Sequence, residues 1–168
     1  MPTILDSREK KFFAIRKTRN GKGVFTRIGF GEGKRLFEVK GRFVTCDEDD
    51  DMDETERSNA YRFDRDLFIS PKDRLADMVN HSCTPNAKVV KDNDKLYVYS
   101  ISEILKGSEV FIDYSTIIAK EDIWTMKCNC GSDKCRKIVK NFAKLSKKTQ
   151  DIYKKDKIVP DFILKIRG

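Results

Sequence analysis

The chain has 168 residues, 37% of them charged, and a formal net charge of +8. That length suits one domain with a core of its own. No stretch of roughly 18 consecutive apolar residues occurs, which argues against a membrane-spanning helix, and "MPTILDSREKKFF" lacks the apolar core and cleavage site of a secretory signal. The expected location is intracellular.

Short stretches rich in β-branched and aromatic residues open the chain. "FFAIRKT" (12–18), "GVFTRI" (23–28), "RLFEVKG" (35–41) and "RFVTC" (42–46) read as strands divided by glycine or polar breaks. The glycines of "GKGVFT" (21–26) and "GFGEGKR" (29–35) do not make a phosphate loop. Ile28 stands where such a loop needs its first glycine, and Arg35 replaces the Ser or Thr after the GK pair. Taken alone, Gly21 and Gly23 read as a turn with a close backbone approach. Residues 47–56, "DEDDDMDETE", carry eight carboxylates and no base. Composition makes this a loop, either a solvated tether or a surface for a basic partner. It has no glycine for the sharp turn of a calcium loop.

"PKDRLADMVN" (71–80) looks like a brief helix with proline in its first turn. The strands "KLYVYSI" (95–101) and "EVFIDYS" (109–115) follow, and after residue 138 "NFAKL" and "SKKTQDIYKK" suggest short helices. From Arg136 to Gly168, eleven Lys and Arg stand against three Asp, so this tail carries the whole net charge. It reads either as solvated helix faces or as a surface that attracts nucleic acid. The body is mainly β, with a small helical C-terminus.

His81 is the only histidine, two residues before Cys83 in "MVNHSCTPNA" (78–87). The pair is open to three readings: nucleophile and base, metal site, or packing. Of five cysteines, Cys128, Cys130 and Cys135 form "CNCGSDKC". An odd count in an intracellular chain argues against a disulfide network. Three thiols this close suit a soft tetrahedral ion such as zinc, which wants a fourth ligand. Spacing leaves Cys83, Cys46 and His81 as candidates.

"GKGVFT", "NHSCTPNA", "GSEVFIDYS" and "CNCGSDKC", in this order, resemble the SET-domain protein-lysine methyltransferases with a post-SET zinc motif. The closing "NFAKLSKKTQDIYKKDKIVPDFI" is similar to the tail of small stand-alone SET proteins of bacterial type. The resemblance implies a β-clip SET fold: several small curved sheets, few short helices, a C-terminal pseudoknot and a zinc-bound post-SET segment. It divides the chain into a SET domain (11–118) with a variable acidic insert (about 46–58), a post-SET segment (119–140) and a basic helical extension (141–168). The implied activity is methyl transfer from S-adenosyl-L-methionine to a lysine of a basic, histone-like protein or peptide.

Residue by residue, the resemblance makes Tyr114 the catalytic tyrosine. Lys22, Gly23 and Val24 become the backbone segment along the cofactor, with Asn80 (side chain) and His81 (backbone) holding it from the other side. Cys83 becomes the fourth zinc ligand beside Cys128, Cys130 and Cys135. Tyr61 fits a channel tyrosine, Phe63 an adjacent wall, and Trp124 a flat wall for the adenine or the channel. Ile112 stands where the family usually carries Phe or Tyr, which implies room for more than one methyl. Cys46 has no assigned role. Two rivals remain: a SET module that binds a basic tail without transferring methyl, and a zinc protein that binds nucleic acid through the basic tail.

Overall fold

A computed structural model describes residues 3–166, without the side chains of Asp49 and Asp50. Arg167 and Gly168, at the end of the basic tail, lie outside the described residues. Strands β1 (Phe13–Thr18) and β2 (Gly21–Thr26) form a hairpin around Arg19 and Asn20. Gly21 closes it at φ +102°, a conformation that favours glycine. The chain continues through β3 (Arg35–Glu38), β4 (Arg42–Thr45), β5 (Tyr61–Asp64), β6 (Leu67–Ser70) and β7 (Asn80–His81). It ends its strands with β8 (Ala87–Asp92), β9 (Lys95–Ser100), β10 (Phe111–Ile112), β11 (Met126–Lys127) and β12 (Ile138–Val139). These make five small sheets: β1-β2, β3-β9-β8, β4-β6-β5, β7-β10 and β11-β12.

Strands β8 and β9 bury alternate side chains, as the two-residue period of a half-buried strand requires. On β8 and β9 the inward residues are Ala87, Val89, Leu96, Val98 and Ser100. Together with Phe13, Val24, Leu36, Ile104 and Ile112 they sit in the main core. Each large apolar side chain so buried contributes roughly 1.5–3 kcal/mol. A second cluster, Phe142, Leu145, Tyr153, Ile158, Val159 and Ile163, packs the C-terminal segment against Ile101.

Among the described residues there are four helices, all short: α1 (Ser7–Phe12), α2 (Glu54–Asn59), α3 (Lys147–Lys155) and α4 (Asp161–Lys165). α1 is held by a reciprocal cap. The Asp6 carboxylate accepts from the Glu9 amide at 2.8 Å, and the Glu9 carboxylate accepts from the Asp6 amide at 2.8 Å. No helix among the described residues is long and apolar enough to cross a membrane.

Two expectations need correction. The acidic run is not a loop: a 3-10 turn spans Cys46–Asp51 and α2 follows it. Asp53 caps α2 by accepting from the Glu56 amide at 2.8 Å, and Lys72 reaches both Asp53 (2.9 Å) and Glu56 (3.0 Å). Cations from elsewhere in the chain thus balance carboxylates that composition alone leaves repelling one another. The helix expected in 71–80 shrinks to a 3-10 turn, Leu75–Met78, capped at Arg74. Pro71 lies ahead of it, and its carbonyl accepts from the Arg74 amide at 2.8 Å.

Where the resemblance implies a crossing of chain segments, the structure has a two-residue parallel pairing. Phe111 lies opposite Asn80 and Ile112 opposite His81, and the Ser82 amide donates to the Ile112 carbonyl at 3.0 Å. A parallel pair cannot be joined by a tight turn, and here β8 and β9 lie between its strands. The pairing sets "NHSC" beside "FIDY".

Candidate active site and thiolate cluster

Tyr114 lies one residue beyond the end of β10, after the cap residue Asp113, and starts a 3-10 turn, Tyr114–Thr116. Its hydroxyl donates to the Val79 carbonyl at 2.6 Å, and the Tyr61 hydroxyl donates to the Ala76 carbonyl at 3.0 Å. Both tyrosines line a cavity of about 340 Å³, walled by Phe68, Ile117, Ile118 and Trp124. The Tyr114 and Trp124 rings lie 6.4 Å apart, and the indole nitrogen donates to Ser58 Oγ at 3.4 Å. Buried Arg62 ties this wall to the sheet by an ion pair with Asp122 while its guanidinium stacks 4.3 Å from the Phe68 ring. Burial raises the pKa of both phenols, and the charges of Asp77 and Glu109 add to it for Tyr114. At neutral pH both are protonated, with lone pairs left to accept from a guest.

Phe63 and Ile112 stand apart from this cavity. The pairing of β5 with β6 shifts register between Arg62 and Asp64, and the bulge turns Phe63 away. Its ring packs edge-on against Phe43 at 5.0 Å, with Lys91 Nζ 4.0 Å above it. Phe68 of β6 is the aromatic wall in its place. Ile112 is fully buried in the main core, paired with His81.

Lys22, Gly23 and Val24 follow Gly21 in the first half of β2, and Asn80 meets them from β7. The Asn80 amide donates to the Lys22 carbonyl at 2.9 Å and to Glu109 Oε1 at 2.7 Å. Gly23 leaves room for Glu109: a Cβ there would lie 2.2 Å from Oε1. Asn86 fixes the far side, donating to the Glu109 carbonyl and accepting from the Phe111 amide, both at 2.8 Å. A carbonyl, an amide and a carboxylate therefore converge in one corner, where the carbonyl and carboxylate oxygens are acceptors of the kind that suit a cation.

His81 is buried, and its Nδ1 accepts from the Tyr114 amide at 3.1 Å. Its proton therefore sits on Nε2, which faces Cys83 Sγ at 3.4 Å. Burial pulls its pKa down to about 4, with the Asp113 charge opposing and Arg136 adding to the fall. The ring is neutral at physiological pH and acts as a spacer between a tyrosine amide and a sulfur.

The four sulfurs of Cys83, Cys128, Cys130 and Cys135 all lie within 4.8 Å of one another. Cys83 and Cys128 are 3.7 Å apart, and zinc–sulfur bonds of about 2.3 Å place tetrahedral sulfurs about 3.8 Å apart. The cluster fits zinc. Burial pushes the Cys130 thiol up, but hydrogen bonds from the Cys83 and Ser132 amides outweigh this and bring it to about 6. Cys46 is exposed and outside the group, and His81 offers Cys83 a hydrogen bond rather than joining as a ligand. Of the three candidates that spacing left open, Cys83 completes the set.

Several residues of the site escaped the sequence reading. Glu109 was in plain view inside "GSEVFIDYS", four residues before Asp113, but nothing marked it as Asn80's partner. Phe68, Ile117 and Ile118 look like ordinary core. Arg136 and Tyr153 meet Asp113 only in the folded chain.

Small sheets joined by a short parallel pair, a buried and a half-buried tyrosine on a largely apolar cavity and a four-cysteine cluster define the class of this protein. The SET domain family model matches residues 21–115, and the chain belongs to the SET-domain family. A histone-lysine N-methyltransferase, H3 lysine-4 specific, from Schizosaccharomyces pombe is 31% identical over 85 residues, which are 47% of this chain and 9% of that protein. An H3 lysine-36 specific enzyme from Saccharomyces cerevisiae is 37% identical over 68 residues, 38% of this chain and 9% of that protein. An H3 lysine-9 specific enzyme from Fusarium mangiferae is 29% identical over 162 residues, covering 74% of this chain and 47% of that protein. The chain thus spans less than half the length of each of these relatives.

Proposed function

We propose that this protein is a protein-lysine N-methyltransferase that uses S-adenosyl-L-methionine. The observation that carries the reading is the cavity, lined by two neutral tyrosines and largely apolar walls; its lining residue Val79 directly precedes Asn80, which holds the corner with Lys22 and Glu109. S-adenosylmethionine supplies a methyl group already bound to a good sulfonium leaving group. The protein's task is to present a neutral amine in line with it.

An ammonium has an ordinary pKa of about 10.4. Walls such as Phe68, Ile117 and Trp124 exclude water around it and favour its loss of a proton before attack. Tyr114 then holds the amine by its lone pairs while its own proton stays on the Val79 carbonyl. The ring faces tolerate the methylated ammonium that results. Zinc, held by Cys83, Cys128, Cys130 and Cys135, would fix the segment beside Tyr114.

The relatives' names specify histone H3 lysines, and a basic, histone-like tail is the proposed substrate here. Arg57, Ser58 and Asn59 of α2 line the cavity, so the acidic insert leads to its edge. A contact of the basic extension with nucleic acid belongs to the same proposal, since Lys88, Lys157 and Lys165 share one hollow. The test is labelled methyl donor with basic proteins, free and bound to DNA, comparing wild type with Tyr114→Phe. The variant should lose at least about tenfold in labelling. Equal labelling by both removes Tyr114 from the chemistry.

A further inference from the structure

We propose that Tyr153 of α3, together with Arg136, is a positioning residue for Tyr114, acting through the buried carboxylate of Asp113. This rests on the methyltransferase reading for its kinetic consequence, but its geometry stands apart from that reading.

Asp113 is buried completely and immediately precedes Tyr114. Arg136 grips it with both ends of its guanidinium, Nη1 to Oδ2 at 2.8 Å and Nη2 to Oδ1 at 2.7 Å. The Tyr153 hydroxyl donates to Oδ2 at 2.8 Å, and the Ser115 amide donates to Oδ1 at 3.0 Å. Arg136 Nη2 also donates to Ser115 Oγ at 3.1 Å. The residues on both sides of Tyr114 are therefore clamped by the same guanidinium. Tyr114 itself is held by its amide on His81 Nδ1 and by its carbonyl, which accepts from the Ile117 amide at 3.1 Å. With the backbone fixed at 113, 114 and 115, the ring has little freedom except the one that aims its hydroxyl at Val79.

Packing alone does not explain this arrangement. Within the C-terminal apolar cluster a phenylalanine would fill the Tyr153 site as well. The hydroxyl instead leaves that cluster to give a second donor to Asp113 Oδ2, which Arg136 Nη1 already serves. Arg136 adds a link to the thiolates, because it follows Cys135 and its amide donates to Cys83 Sγ at 3.4 Å. The C-terminal helical segment is by this reading a supporting part of the reaction centre, and not only a basic appendage.

The experiment compares the full chain with Tyr153→Phe and with Ile152→Ala, an exposed neighbour on the same helix. Tyr153→Phe should lower kcat about tenfold, in the range seen for residues that orient a reacting group through another. KM for both substrates and the thermal midpoint should stay close to wild type, and Ile152→Ala should change none of these. His81 is the only histidine, so selective 15N-histidine labelling gives one ring to follow by NMR. Its Nδ1 faces the Tyr114 amide and lies 3.5 Å from Asp113 Oδ1, and its signal should move in Tyr153→Phe alone. A signal unchanged in Tyr153→Phe overturns the proposal, whatever kcat does. So does a loss of activity that only follows a loss of folded protein. If the wild type transfers no methyl to any acceptor, the methyltransferase reading fails. The His81 signal still decides the positioning.

Discussion

Gly23 shows how much one missing atom decides. A β-carbon there must displace Glu109 Oε1, and with it one of the two partners of the Asn80 amide. The Gly23→Ala variant should therefore bind S-adenosylmethionine roughly tenfold more weakly, the scale of one lost buried hydrogen bond. Calorimetric titration measures this, and an unchanged affinity would remove the Lys22–Asn80–Glu109 corner as the place for the cofactor. The residue scale is also where sequence and structure differ most sharply. Cys128, Cys130 and Cys135 announce themselves because ligand spacing is local. Glu109, Arg136 and Tyr153 do not, because what makes each of them matter is a partner that only folding supplies. Phe63 misled for a related reason. Its distance from Tyr61 in the chain is right for a shared face, and a single bulge cancels that relation.

At the scale of elements, α2 turns a run of carboxylates into a helix by borrowing cations. The Ser70 hydroxyl holds the Glu56 carboxyl below its ordinary pKa of 4.5; burial opposes this, and Lys72 adds to the lowering. A carboxyl lowered in the fold stabilises it fully above the unfolded value and loses that contribution as pH falls through the folded one. The gap in thermal midpoint between wild type and Glu56→Gln should be present at pH 7 and close below about pH 4.5. A gap that stays constant down to pH 3 would show that Glu56 acts through shape alone. Strand β9 was legible because alternation runs over its six residues. β7 and β10 were not legible as a pair, since two residues per strand carry no period. The reciprocal cap of α1 had its signal in Asp6 and Glu9, but the helix behind it is too short to show a stripe of its own.

Across the whole molecule, the thiolate cluster and the main core are separate structures that meet at Cys83 and His81. Removing zinc with a chelator should abolish methyl transfer while leaving most of the β body folded, because the core residues of β8 and β9 owe nothing to the sulfurs. Circular dichroism and activity, followed against chelator, should separate into two transitions. A single shared transition would show that the metal holds the core as well. The fold class was readable from motif order, since four short segments had to be brought to one place. Which small sheets bring them there was not.

The clamp on Asp113 also bears on when this protein becomes competent during its synthesis. A growing chain has made both cavity tyrosines by residue 114 and the last thiolate by residue 135, yet one donor to Asp113 arrives only with residue 153. Until that turn of helix has left the ribosome, the partly made chain holds an incompletely braced centre. The brace on Asp113 is therefore completed later in synthesis than either the cavity tyrosines or the cysteine cluster.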